Sequence, residues 1–94
     1  MSERTAPALA KIDRLLPVLT SLPADADSEG LRQNAEALRR AVSAFHMEAI
    51  RFRMYNVERL LRREGDAHTA ARVVFEDVRQ ALEAAGFHTR SHEK

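Results

Sequence analysis

The sequence predicts an all-α protein, an antiparallel bundle of three helices with a long central helix that assembles as a dimeric helical bundle. Two observations indicate this class. Apolar residues recur in alternating steps of three and four in three successive segments, and no glycine or proline interrupts the middle segment from residue 31 to 64. That middle segment carries two apolar series on different sides, so other helices must pack against two of its sides. The 94 residues suit one domain, residues 1–94, around one small core.

The first helix is predicted over residues 5–22, because its apolar residues fall on one side of a helical projection. Pro7 suits the first turn, where a missing N–H costs little. Pro17 removes a hydrogen bond inside the helix, so we expect a kink or a restart there. The apolar side consists of Leu9, Ile12, Leu15, Leu16, Leu19 and Leu22.

The central helix is predicted over residues 28–64, after a loop that begins at Pro23, with Asp27 or Ser28 as its N-cap. At about 100° per residue, the centres of its two apolar series lie roughly 130° apart. One helix with two such faces must be covered from two sides. The first series is Leu31, Ala35, Leu38, Val42, Phe45, Ala49 and Phe52, and the second is Met47, Ile50, Met54, Val57 and Leu61.

The third helix is predicted over residues 67–85. Glycine and aspartate at residues 65–66 suit a tight hairpin, in which glycine ends one helix and aspartate caps the next. Gly86 should end the third helix, with Phe87 packed back on its last turn and residues 88–94 as a frayed tail. The buried side of this helix is expected to contain Ala71, Val74, Phe75, Val78, Ala81 and Leu82.

The central helix is too long for its two neighbours to cover, because each of them has only about half its length. Part of the first apolar series should therefore be exposed, and a second copy of the chain would cover it. Asn56 is the next position in that series, where a buried polar residue can set the register. The predicted dimer interface consists of Phe45, Ala49, Phe52 and Asn56. In the alternative, the helix bends near His46 and the chain closes into a monomeric four-helix bundle.

Arg39, His46 and Arg53 follow one another at intervals of seven residues, between the two apolar series. On one helix they would form a basic track, partly enclosed by a partner helix. The functional interpretation is an anion-binding pocket at the dimer interface, with two guanidinium groups and a pH-dependent histidine. The structural alternative is that Asp13, Asp77 or a glutamate of the partner subunit neutralises these arginines in ordinary ion pairs.

A second group of arginines occupies the outer face of the predicted central helix, where glutamates are fewer. Such an excess of positive charge could contact nucleic-acid phosphates, although a solvated helix face predicts much the same sequence. The third helix does not resemble a recognition helix, because Arg72 with Glu76 and Arg79 with Glu83 alternate both signs along its exposed side. The candidate nucleic-acid contacts are Arg40, Arg51, Arg59, Arg62 and Arg63.

Nothing in the sequence indicates catalysis. Cysteine is absent, no catalytic triad or phosphate-binding loop occurs, and the net charge is only +1. His88 and His92 have metal-ligand spacing but no further ligands nearby, so we predict no metal site and no cofactor. The chain has no signal-peptide pattern and no apolar run long enough to span a membrane, which predicts a cytoplasmic protein. We expect a non-catalytic interaction or regulatory module that self-associates, or alternatively a dimeric nucleic-acid-binding regulator or a small-anion sensor.

Overall fold

The computed structural model describes residues 4–23, 26–62 and 68–87, with residues 26 and 27 described by their backbone only. These residues form four α-helices and no strand, which confirms the all-α class. The prediction of three helices is wrong. The predicted central helix is two helices with a break at residues 44–46, as in the alternative of a bend near His46. The helices are α1 (Ala6–Thr20), α2 (Ala26–Ser43), α3 (Met47–Leu61) and α4 (Thr69–Ala84).

Helix α1 continues through Pro17 without the expected restart. Pro17 and Asp13, whose carbonyl loses its helical hydrogen bond to the proline, are both exposed, so water can satisfy that carbonyl. The last turn gains a further bond, because the Thr20 hydroxyl donates to the Leu16 carbonyl at 3.0 Å. The side that faces the core is fully buried at Ala8, Ile12, Leu15 and Leu19.

Helix α2 begins at Ala26, two residues before the predicted start. Ser28, one of the two predicted N-caps, is buried, and its hydroxyl donates to the carbonyl of Pro23 at 2.7 Å. This hydrogen bond therefore connects the preceding segment to the first turn of α2. The side chain of Asp27, the other predicted cap, lies outside the described residues.

Three residues, Ala44, Phe45 and His46, join α2 to α3, and we call them the joint. The Phe45 N–H donates to Val42 O at 3.1 Å and the His46 N–H to Ala41 O at 3.0 Å, which is the Schellman pattern of helix ends. Phe45 has φ +58°, a left-handed conformation usually given to glycine. His46 is extended and begins α3 as its N-cap, since its Nδ1 accepts the Ala49 N–H at 3.4 Å.

The break allows both apolar series to face a single core. Leu38 and Val42 of α2 and Ile50 and Met54 of α3 are all fully buried. Helix α2 lies against both α1 and α3, whereas α4 lies mainly against α1. A left-handed phenylalanine costs about 1–2 kcal/mol, while burying one large apolar side chain contributes about 1.5–3 kcal/mol. Tertiary burial therefore outweighs the local cost of the bend.

Helix α4 ends as predicted. Ala85 is its C-cap, Gly86 has φ +97°, and the Phe87 N–H donates to Leu82 O at 3.0 Å. Phe87 is buried, which confirms that it packs back on the helix. Arg4 donates from its guanidinium to the carbonyl of Ala85, so the two ends of the described chain meet. The predicted hairpin at residues 65–66 and the tail at 88–94 lie outside the described residues.

Replacing Gly86 with alanine should lower the free energy of unfolding by about 1–2 kcal/mol, because an alanine at this φ is strained. A Cβ there would also lie 2.7 Å from Arg4 Nη2 and displace its hydrogen bond to Ala85. Gly30→Ala is the matched control. Gly30 lies inside α2, where alanine is favoured by up to about 1 kcal/mol, and its added Cβ would lie 3.3 Å from Leu60 Cδ1, so the shift that Leu60 must make offsets part of that gain. Urea unfolding of both variants measures the change in the free energy of unfolding, which should be a clear loss for Gly86→Ala and no comparable loss for Gly30→Ala.

Candidate functional site

An exposed series of four residues runs along α3, and we call it the α3 stripe. Its members, Glu48, Phe52, Tyr55 and Arg59, follow one another in steps of four, three and four, so they share one side of the helix. Phe52 is 55% exposed and Tyr55 is 38% exposed, although both are large aromatic residues. The opposite side of α3 is buried in the core. The stripe is therefore an apolar surface flanked by one negative and one positive side chain.

A shallow cavity of about 280 Å³ lies along this stripe, lined by Glu48, Arg51, Phe52 and Tyr55. Arg53 also approaches the stripe, because its guanidinium carbon lies 5.0 Å from the centre of the Phe52 ring. This cation–π contact favours one orientation of the ring while leaving much of it open to solvent. The Phe52 ring is thus partly fixed in orientation at the surface of α3.

A polar cluster between α2 and α3 holds Arg53 in place. Asn34 Oδ1 accepts from Arg53 Nη1 at 2.8 Å and from Asn56 Nδ2 at 3.1 Å, while Asn34 Nδ2 donates to the Gly30 carbonyl at 2.9 Å. Asn56 was predicted to set the register of a dimer interface. Its hydrogen bond instead joins two helices of the same chain, because the break folds α3 back onto α2.

The four residues of the predicted dimer interface have different environments. Phe52 is exposed as expected, whereas Ala49 is partly buried against the protein's own core. Phe45 is 43% exposed, and its ring meets the Phe87 ring edge to face at 5.6 Å between centres. Two of the four residues, Phe45 and Phe52, are thus exposed, whereas Ala49 and Asn56 contact other parts of the same chain.

The three residues of the predicted anion pocket lie in three different contacts. Arg39 binds Asp13 through Nε at 2.6 Å and Nη2 at 3.3 Å, as the structural alternative proposed for this arginine. That hydrogen bond, together with the positive charge of Arg39, holds the pKa of Asp13 below its ordinary value. His46 caps α3 and Arg53 binds Asn34. The seven-residue spacing no longer places the three together, because the helix that carried it is broken.

The candidate nucleic-acid contacts are also divided by the break. Arg40 lies in the last turn of α2, whereas Arg51 and Arg59 lie in α3 and Arg62 is the C-cap of α3. Arg62 forms an ion pair with Glu58 at 3.0 Å. Arg63 lies outside the described residues. The prediction placed these arginines on the outer face of one straight helix, and the break separates Arg40 from the others.

Sequence reasoning placed Arg79 on the exposed side of α4, but this arginine is buried, with 3% of its surface exposed. Its Nη2 donates to Glu58 at 2.9 Å and its Nε to Glu76 at 3.4 Å, and its guanidinium lies 5.2 Å from the centre of the Phe75 ring. The ion pair with Glu58 connects α4 to α3. The sequence does contain an indication that Arg79 is buried, because it follows Phe75 by four residues and precedes Leu82 by three, on the same side of α4.

Glu58 receives hydrogen bonds from both Arg62 and Arg79. Burial alone would raise its pKa, but the two hydrogen bonds and the two positive charges outweigh burial, so the pKa of Glu58 lies below its ordinary value. Among the described residues, no group of three or more histidine, aspartate or glutamate side chains could hold a metal ion.

Because the pKa of Glu58 is lower in the folded protein, the unfolded chain binds more protons in acid, and stability falls as pH drops through this carboxyl's range, below about 4.3. The Glu58→Gln variant should be less stable than wild type at pH 7 and should lose less stability between about pH 5 and pH 3. Urea titrations at several pH values measure both slopes. Equal slopes would show that Glu58 has no share in the acid sensitivity.

None of the described helices is long and apolar enough to cross a lipid bilayer. No protein-family model, curated protein or solved structure matches the chain.

Proposed function

We propose that this protein is a non-catalytic interaction module that forms a homodimer through the α3 stripe. The observation that supports this proposal is the order of the stripe, in which a negative residue, two aromatic residues and a positive residue follow one another. A surface that pairs with its own copy across a two-fold axis must be self-complementary. This order meets that condition when two α3 helices pack antiparallel.

The pairing register follows from the spacing. With the two-fold axis between residues 53 and 54, Glu48 lies opposite Arg59 of the partner subunit, and Phe52 lies opposite Tyr55 of the partner subunit. The symmetry repeats each pair, so the interface contains two ion pairs and two aromatic pairs. Steps of four, three and four residues are those of the contact positions in antiparallel helix pairs.

The aromatic pairs would supply most of the affinity. Phe52 is half exposed in the single chain, so covering it in a dimer contributes about 1 kcal/mol per copy, and an aromatic pair adds about 0.5–1.5 kcal/mol. The ion pairs at the two ends lie near solvent and determine register and orientation more than affinity. Aromatic residues at the centre and charges at the rim are the usual arrangement of a protein interface.

The alternative functions have less support from the geometry. Arg39 and Arg62, which belonged to the anion and nucleic-acid hypotheses, are in ion pairs with Asp13 and Glu58. Arg40 is separated from the α3 arginines by the break. The α3 stripe keeps an exposed apolar surface, with Phe52 55% exposed and Tyr55 38% exposed, which favours contact with another protein surface.

Light scattering after size exclusion tests the proposal with Phe52→Glu and with Val73→Glu as the matched control. Val73 is an apolar residue of α4, outside the stripe, and is 61% exposed. For protein that has not been unfolded and refolded at high concentration, we expect a wild-type dimer, a monomer for Phe52→Glu with unchanged helicity, and a dimer for Val73→Glu. A monomeric wild type at about 1 mM, or equal loss of dimer in both variants, would contradict the proposal.

A charge exchange tests the register. Glu48→Arg should weaken the dimer because it places two arginines opposite one another, and Arg59→Glu should weaken it because it places two glutamates opposite one another. The double variant restores both pairs, so its dimer dissociation constant should return to within about threefold of wild type. If the double variant dimerises no better than either single variant, the antiparallel register is wrong.

A further inference from the structure

The joint between α2 and α3 is a strained bend in a segment whose composition favours a helix. Phe45 has φ +58°, a conformation that phenylalanine rarely adopts, and it occupies the position where most helices place glycine. Neither glycine nor proline occurs between residues 31 and 62 to require a bend. Phe45 is left-handed and His46 is extended, whereas the Ala44 N–H still donates to the Arg40 carbonyl at 3.0 Å, as it would in a helix. Moving Phe45 and His46 to helical dihedral angles would join α2 and α3 into one helix.

We infer that the joint is a swap hinge, through which two copies of this chain exchange their α3–α4 halves. In the exchanged dimer each lobe contains α1 and α2 of one copy and α3 and α4 of the other. This assembly uses the core surfaces of the bundle, so it is distinct from the proposed pairing through the α3 stripe. The stripe faces away from the core and stays exposed in both forms.

The main contacts between helices are kept when two copies exchange their α3–α4 halves. The contacts of α2 with α3 and of α1 with α4 join the two halves, and each can form between copies as well as within one chain. The contact of α1 with α2 lies within one half and is unaffected. The joint itself changes, because the ring contact of Phe45 with Phe87 and the His46 cap belong to the bent form.

Straightening the joint removes the strain at Phe45 and replaces the helix-end and cap hydrogen bonds of the joint with those of a continuous helix. A second copy is then required, because a straight helix exposes the core residues that α2 and α3 bury against each other. The joined helix would span residues 26–61 and extend about 54 Å at 1.5 Å per residue. The described residues of the single chain span only 34 Å along their longest axis, so the two forms differ by an easily measured distance.

Met47 provides a test because it is the first residue of α3. Proline fits that position in the bent form, since the preceding His46 is extended at ψ 91°. Inside a continuous helix the same proline removes a hydrogen bond and clashes with the preceding turn. Met47→Pro should therefore permit the bent monomer and prevent the exchanged dimer. Met47→Ala removes the same side chain without the proline ring and is the matched control.

The experiment refolds each variant at about 1 mM, separates the dimer, and measures how much persists for hours after dilution to about 1 µM. We expect a persistent dimer for wild type and for Met47→Ala, and at least a tenfold smaller fraction for Met47→Pro. Phe45→Gly should also reduce the fraction, because glycine relaxes the bend and weakens the helix. The stripe variant Phe52→Glu should leave the persistent dimer unchanged, which separates this inference from the proposed function.

A distance measurement identifies the form of the dimer. The chain has no cysteine, so Gln33→Cys and Arg62→Cys place two spin labels in one copy, diluted with unlabelled chain. Across 29 residues a straight helix separates them by about 44 Å, beyond the longest axis of the single chain. A persistent dimer whose labels stay within 34 Å would overturn the inference. So would equal dimer fractions for Met47→Pro and Met47→Ala, or no persistent dimer in wild type.

Discussion

Replacing Arg79 with alanine should lower the free energy of unfolding by about 3 kcal/mol at pH 7. The guanidinium is 97% buried, donates to Glu58 and Glu76 and lies over the Phe75 ring, so its loss removes several contacts together. Glu58 would also keep its charge in a half-buried position with one fewer partner. Removing one member of a buried ion pair commonly costs 3–5 kcal/mol, and the partial exposure of Glu58 places this case near the lower end.

Arg62→Ala is the control for this prediction, because Arg62 forms an ion pair with the same carboxylate. Its side chain is 66% exposed, and an exposed ion pair contributes about 0–1 kcal/mol. Urea unfolding at pH 7 should therefore separate the two variants by about 2 kcal/mol or more. If the two variants lose similar amounts of stability, the burial of Arg79 does not make its ion pair with Glu58 more stabilising than that of Arg62. The variant Arg79→Met retains the apolar volume and should recover part of the loss, since a matched apolar residue can replace a buried charge.

Replacing Ile50 with alanine should cost about 2–4 kcal/mol, because this fully buried residue of α3 contacts the core and alanine leaves a cavity. Phe52→Ala removes a larger side chain two residues away and should change stability by no more than about 0.5 kcal/mol when the solution is dilute enough to keep the chain monomeric. Thermal unfolding at low concentration should show a shift of about 10 °C or more for Ile50→Ala and little for Phe52→Ala.

This contrast tests the broken-helix fold. In a long central helix that dimerises through the first apolar series, Phe52 would belong to the main interface and its loss would destabilise the assembly strongly. In the bent structure Phe52 belongs to the α3 stripe, and its loss should affect self-association instead of the monomer's stability. Equal destabilisation by the two substitutions would contradict the bent arrangement.

Local sequence information was sufficient for much of the fold. The steps of three and four correctly located the buried sides of all the helices, as at Leu15, Leu38, Met54 and Val78. The end of α4 was also predictable, because Gly86 supplies a conformation that other residues adopt at a cost, and Phe87 follows it. These features depend on residues within one or two helical turns of each other.

The candidate site was predicted less well than the fold. Phe52 was expected to be exposed and is exposed, but the stripe that contains Glu48, Tyr55 and Arg59 was not recognised as one surface. The expected neighbours Ala49 and Asn56 contact the protein's own core and α2. The error has one source, since every position was projected on a single straight helix.

The sequence by itself determined that the protein is all-α, which residues of each helix are apolar, and where α4 ends. Only the tertiary structure decided that the chain bends at Phe45 and that Arg79 is buried against Glu58. The physical reason is the range of the interactions. Helical periodicity and capping act over three to five residues, whereas the bend is stabilised by burial between residues far apart in the chain. Two apolar faces on one segment must both be buried against other helices. Only the arrangement of those helices decides whether they come from the same chain or from a second copy.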